Sequence, residues 1–148
     1  MPYTDLELFA RLIECEAGGE GVLGMEAVAS VVMNRVNATG GEYARVSDGG
    51  SLRNIILQPG QFACVATEDD DGEPNAQNIY NMAPTALQYA VAEWALVGNR
   101  VTDLGEALWF YAPQGAECRE FFPSNVGKLV VRINEHCFYN PTELYYET

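Results

Sequence analysis

Basic residues are scarce in this chain. Eight Lys and Arg stand against twenty-one Asp and Glu, giving a formal charge of −13 over 148 residues. Phosphate contacts need cations, so the shortage excludes non-specific nucleic-acid binding and disfavours docking to an anionic membrane surface. No hydrophobic run approaches the length of a membrane span, so membrane insertion is not expected. The N-terminal MPYTDLELFARL has neither the basic segment nor the cleavage site of a secretory signal. Location is therefore open: a non-exported protein, one exported by another route, or a piece of a longer chain. There is one histidine, His136, and no HExxH, which argues against a zinc amidase. Cys15, Cys64, Cys118 and Cys137 show no CxxC spacing, which argues against a zinc ribbon or a thioredoxin-type site. Free buried thiols are the expectation for the four, with Cys118–Cys137 pairing as the alternative if the C-terminal segments lie side by side. No metal or cofactor is expected. Repeats and linkers are lacking as well, and 48% apolar content suits one core, so residues 1–148 are read as one domain.

What is present is helical at first. Thr4 and Glu7 form a capping box, and Leu6, Phe9, Ala10, Ile13 and Ala17 recur at helical spacing until Gly18-Gly19. Glu7, Arg11 and Glu14 lie on the other side, expected in solvent. Met25, Val28, Ala29, Val32 and Val36 predict a second buried helix over 23–37. The Gly-rich stretch 38–50 reads as a loop, Ser51 caps a short helix to Leu57, and Pro59-Gly60 turns the chain. The acidic run 68–73 lacks the full calcium-loop pattern and reads as a solvated loop. A third long helix starts near Pro84 or Thr85 and ends at Gly98-Asn99. The pattern then becomes strand-like at Ala107–Tyr111, and Leu129–Ile133 and His136–Tyr139 flank a hairpin turn at Asn134-Glu135. The fold class is α+β, helix-dominated, with a small C-terminal antiparallel hairpin.

Within the first helix a carboxylate stands where a hydrophobe belongs. Extending the stripe of positions 6, 9 and 13 by three residues reaches Glu16, in the last turn. Either the stripe drifts at its end and Glu16 frays at the surface, or Glu16 faces inward. Burial would favour its protonated form, poised to donate a proton as glycosidic cleavage requires. Glu20, beyond the double glycine, reads as a loop residue, a supporting partner to that acid, or a cap for the next helix.

Five motifs in series then carry a resemblance. They are Phe9-Ala10-Arg11-Leu12-Ile13-Glu14-Cys15-Glu16-Ala17-Gly18-Gly19-Glu20, the segment from Gly24 through Asn34-Arg35-Val36, and the turn Gln58-Pro59-Gly60-Gln61-Phe62. The aromatic strand Leu108-Trp109-Phe110-Tyr111 and the terminal Ile133-Asn134-Glu135-His136-Cys137-Phe138-Tyr139 complete the set. Together they resemble the cell-wall hydrolases typified by germination-specific spore cortex-lytic enzymes. Two features depart from that pattern: Asn134-Glu135 replaces a glycine-containing turn, and the acidic run 68–73 is an insertion. The resemblance implies a fold like lysozyme and the lytic transglycosylases, with Glu16 as the catalytic residue. It further implies peptidoglycan as substrate, cut at the β-1,4 bond between N-acetylmuramic acid and N-acetylglucosamine.

A lone general acid favours transglycosylation over hydrolysis, since a hydrolase needs a second carboxylate about 5–5.5 or 6.5–9.5 Å away. Glu20, Asp69 and Asp70 are the candidates for that second role. The expected cleft gathers Glu16 and Glu20, Gln61 and Phe62, Tyr111 and His136, since sugar sites combine aromatic surfaces with a few placed polar groups. Two further readings compete. One is a Cys–His endopeptidase, for which Cys64 is the only candidate nucleophile, because Cys137 points away from its neighbour His136 on a strand. The other is a non-catalytic glycan-binding module using Trp94, Trp109 and Tyr111. Oligomeric state is not legible.

Overall fold

Thr4 accepts the Glu7 N–H at 3.1 Å and starts the first helix as its sequence requires. In the computed structural model, which describes residues 2–148, that helix is α1 (Asp5–Ala17). It is followed by α2 (Gly21–Val36), α3 (Gly41–Ser47), α4 (Leu52–Leu57) and α5 (Ala86–Leu96). Three strands follow, β1 (Trp109–Tyr111), β2 (Gly127–Ile133) and β3 (His136–Pro141), and a 3-10 turn at Glu143–Glu147 ends the described chain. The protein is α+β, as its pattern of elements predicts. Among the described residues no helix is long and apolar enough to cross a membrane.

α2 is the central element, because its apolar residues serve two sides. Met25, Val28, Ala29, Val32 and Val36 join Leu8, Phe9, Leu12 and Ile13 of α1 and Val91, Ala92 and Ala95 of α5 in the main core. Ala27 and Val31 on the opposite side pack with Leu104, Ala107, Ile133 and Phe138. The helix is thus wedged between the helical layer and the sheet.

The hairpin forms where expected, but it gains a third strand. The order is β1-β3-β2, all antiparallel, with Trp109 opposite Tyr139, Phe110 opposite Phe138 and Tyr111 opposite Cys137. β3 is therefore the middle strand, and His136–Tyr139 is buried throughout. At the turn, Asn134 takes the left-handed conformation (φ 52°) that asparagine tolerates. Its Nδ2 donates to the Glu20 carbonyl at 2.7 Å. Gly24 permits this approach: a Cβ there would collide with the Glu20 side chain and meet Asn134 Nδ2 at 3.4 Å.

Three expectations are corrected. The stretch 38–50 is not all loop: Gly41–Ser47 is helical, held by Tyr43, which is buried against Trp109 and Tyr145 and donates its N–H to the Tyr145 hydroxyl at 3.0 Å. Tertiary packing overrides weak local propensity here. The cysteines are not free thiols. Cys15 pairs with Cys64 and Cys118 with Cys137, because a turn at Ala63–Val65 folds onto α1 and the segment before β2 lies beside β3. Finally, the Glu7–Arg11–Glu14 face is covered rather than solvated. Arg11 pairs with Glu7 at 2.8 Å and donates to the carbonyls of Ile79 (2.9 Å) and Met82 (2.7 Å), while Glu14 Oε1 accepts the Ala83 N–H at 2.8 Å.

Replacing Arg11 by Met leaves those two carbonyls without their charged donor. The variant should lose about 1–3 kcal/mol of stability in urea denaturation, the range for buried groups left unsatisfied. A loss under 0.5 kcal/mol, on the order of a surface substitution, would mean that the 79–83 segment does not depend on this contact.

Candidate active site

Glu16 is the penultimate residue of α1, and its side chain enters a pocket of about 230 Å³. Arg35 of α2, Gln61, Phe62 and Ala63 of the turn, Phe110, Tyr111 and Ala112 at β1, and His136 at the start of β3 complete the lining. Four separate stretches of chain therefore meet around one carboxylate. Burial raises the Glu16 pKa from 4.5 to about 7, although the Cys64 backbone amide and the Arg35 guanidinium both oppose the shift.

Arg35 is 4% exposed and lies under the same pocket. Its Nε donates to the Leu108 carbonyl at 2.7 Å and its Nη1 to Gln61 Oε1 at 3.4 Å. Its guanidinium lies 4.5 Å from the Tyr43 ring centroid and 5.0 Å from that of Phe62. Burial pulls its pKa below the ordinary value, against the pull of Tyr43, Glu42 and Glu16. Gln61 is locked in turn, its Oε1 also accepting from the Tyr43 hydroxyl at 2.8 Å.

His136 faces the pocket with its ring edge against Phe110 (centroids 5.2 Å apart). Its Nδ1 is 2.9 Å from Glu20 Oε1, which also accepts the Glu135 N–H at 3.2 Å. A carboxylate on one ring nitrogen orients the imidazole and leaves Nε2 as the free polar edge. Glu20 is therefore not in the pocket lining: from the start of α2 it braces His136 from behind. Tyr111 lines the pocket, but its ring is stacked on Phe122 (4.4 Å), and Phe62 is 6% exposed. Both are walls of the pocket more than open platforms.

Two neighbouring cavities share these walls. One, about 650 Å³, shares Gln61, Phe62 and Ala63 and is bordered by Glu68, Asp69 and Asp70. The other, about 240 Å³, shares Arg35, Gln61 and Phe110 and runs to Trp109, Phe122 and Pro123. Asp69 and Asp70 thus border the adjoining cavity and not the one that holds Glu16. The acidic loop closes on itself, with Asp69 Oδ1 accepting the N–H groups of Asp71 and Glu73, both at 2.9 Å. Among the described residues no group of three or more His, Cys, Asp or Glu is arranged to hold a metal ion. Cys64, the one candidate thiol nucleophile, is consumed in a disulfide.

The family model described as Cell Wall Hydrolase matches residues 19–139. The chain belongs to that family. The match begins just after Glu16, but similarity to individual Cell Wall Hydrolase relatives extends further. The chain is 29% identical over 139 residues to the cell wall hydrolase CwlJ of Bacillus subtilis, covering 94% of this chain and 87% of that one. It is 27% identical to a spore cortex-lytic enzyme of Bacillus cereus over 91% of its own length, but spans only 44% of that longer protein. Among solved structures, the catalytic domain of the germination-specific lytic transglycosylase SleB from Bacillus anthracis superposes with a TM-score of 0.65 at 25% identity. That superposition covers 94% of this chain and 98% of the other. This Cell Wall Hydrolase is thus an enzyme, and the binding-module reading is set aside.

Arg35, Ala63, Phe110 and Ala112 line the pocket beyond the residues that the sequence predicts there. Arg35 carried a usable signal: positions 25, 28, 32 and 35 form one helical stripe, on which a charge is as anomalous as Glu16 is on α1. The Glu20–His136 contact spans more than a hundred residues and has no local signature.

The raised pKa of Glu16 makes a stability prediction. A carboxyl that titrates higher when folded contributes its full stability below pH 4.5, and loses it as pH rises through about 7. Glu16→Gln cannot ionise, so at pH 8 it should exceed the wild type by about 1–3 kcal/mol. The gap should close towards pH 4.5, read from urea midpoints across that range. A gap independent of pH would show that Glu16 does not titrate in this way.

Proposed function

We propose that this enzyme is a lytic transglycosylase of peptidoglycan, and that Glu16 serves it alone as acid and then base. The observation that carries this reading is the composition of the pocket: Glu16 is the one carboxylate among its lining residues. Membership of the Cell Wall Hydrolase family and the likeness to the SleB catalytic domain support the substrate class and the reaction type. Residues 1–148 act, on this reading, as one catalytic unit.

A carboxyl with a pKa of about 7 holds its proton near neutrality. Glu16 gives that proton to the bridging oxygen as the muramic C1–O bond breaks, and the leaving sugar departs as an alcohol. The carboxylate left behind sits beside an electron-poor C1. It then takes the proton from the 6-hydroxyl of the same muramic residue as O6 bonds to C1, closing a 1,6-anhydro ring and restoring the acid. No water is consumed. The intramolecular hydroxyl outcompetes solvent because it is already held beside the reacting carbon. Gln61, Tyr111 and the free edge of His136 are the groups placed to hold the sugar, Phe62 supplies an apolar wall, and Glu20 acts through His136.

Digestion of purified peptidoglycan in heavy-oxygen water tests the reaction. Products should end in 1,6-anhydro-muramic acid, lighter by one water than hydrolysed muropeptides, and should carry no label. Labelled reducing ends would mean hydrolysis, and Glu20 and the loop acids Asp69 and Asp70 would then be the next to mutate. Glu16→Gln should lower turnover by about 10²–10⁴-fold, the usual worth of a general acid or base. Glu14→Gln, which keeps an oxygen for the Ala83 N–H, should remain near wild type. Wild-type rates in Glu16→Gln would refute the assignment.

A further inference from the structure

The residue before Glu16 is covalently tied to the opposite wall of its pocket. Cys15 and Cys64 form a disulfide across 49 residues of sequence, with Cα atoms 6.1 Å apart. Phe62 and Ala63, immediately before Cys64, line the pocket with Glu16. Apart from the Cys64 amide, which bonds to Glu16, the wall's backbone hydrogen bonds are local, from Gln61 to Gln58, Val65 to Phe62 and Ala66 to Ala63. Its one side-chain hydrogen-bond tie to α2 and α3 is through Gln61 Oε1 to Arg35 and Tyr43. Asn75 Nδ2 adds bonds to the carbonyls of Ala63 (3.2 Å) and Ala66 (2.8 Å), again away from α1. Meanwhile Glu16 lies one residue from the end of its helix, where helices fray. The disulfide thus joins the two segments that meet at the carboxyl, and catalytic geometry tolerates only about 0.5 Å of slack.

We propose that the Cys15–Cys64 disulfide is a positioning element of the active site: it pins the Gln61–Ala63 wall to the helix end that carries Glu16, so that full turnover requires the bond to be closed. The bond serves two ends. It holds the apolar wall over the carboxyl, keeping water out, and it holds the Cys64 backbone amide against it. Both cysteines are buried, 4% and 5% exposed, so the link is shielded from casual exchange. Opening it with a dithiol moves two electrons and two protons onto Cys15 and Cys64 as thiols and leaves the reductant as a disulfide. Released, the wall admits water to Glu16. Loss of burial, the larger influence on that carboxyl, then outweighs loss of the amide, and Glu16 ionises at lower pH.

The inference rests on Glu16 as the acid, so Glu16→Gln is assayed alongside. The test compares C15A/C64A with the wild type on soluble glycan fragments, below the variant's unfolding temperature, recording kcat, KM and the pH profile. Expected are a fall in kcat of about 10–100-fold, the cost of a small misplacement, a smaller rise in KM because Gln61 and Phe62 belong to the released wall, and an alkaline limb displaced to lower pH. An unchanged kcat, or a fall with the limb unmoved, overturns the positioning role. If Glu16→Gln itself is active, it is the catalytic assignment that fails. Should C15A/C64A not fold, the wild type is titrated with dithiothreitol and aliquots are alkylated for mass spectrometry. Activity should then fall in step with opening of Cys15–Cys64 and not of Cys118–Cys137. Full activity with Cys15 and Cys64 reduced overturns the proposal.

Discussion

A half-buried carboxyl and a buried guanidinium share one small pocket, and neither is neutralised in a simple ion pair. Arg35 spends its hydrogen bonds on the Leu108 carbonyl and Gln61 and lays its charge across the rings of Tyr43 and Phe62. Its attraction for Glu16 is real but smaller than the cost of burying that carboxyl, so Glu16 stays protonated to about pH 7. Were the guanidinium free to grip Glu16 at close range, the acid would ionise early and could not donate the proton that the proposed mechanism asks of it. The fold's task is to engage Arg35 elsewhere while leaving it beneath the site.

The architecture follows from that need. α2 is wedged between the helical layer and the sheet and carries Arg35 inward, while α1 delivers Glu16 from its frayable end. β3, the middle strand, brings His136 to the same pocket, and Gly24 allows the hairpin turn close enough for Glu20 to brace it. A carboxyl whose desolvation outweighs the help of the Cys64 amide and Arg35 costs stability above neutral pH. Two disulfides and a core shared by three helices offset that cost.

The long helices and the hairpin were legible because their apolar periods run unbroken, and Glu16 stood out as a break in one of those periods. The same test applied to α2 exposes Arg35. Other features had no local trace. α3 forms in a Gly-rich stretch because Tyr43 finds Trp109 and Tyr145 far away in sequence. Cys15 meets Cys64 only once the Pro59-Gly60 turn has folded back, and Arg11 is covered by carbonyls from 79–82. Sequence period reports which face is apolar; it does not report what will arrive to cover a polar one.

Direct titration of Glu16 tests the central claim most closely. In protein carrying carbon-13 at the glutamate side-chain carboxyls, one resonance should be absent from Glu16→Gln, and that resonance should shift with a midpoint near pH 7. A midpoint for that carboxyl in the ordinary glutamate range, about 4–5, would contradict the account.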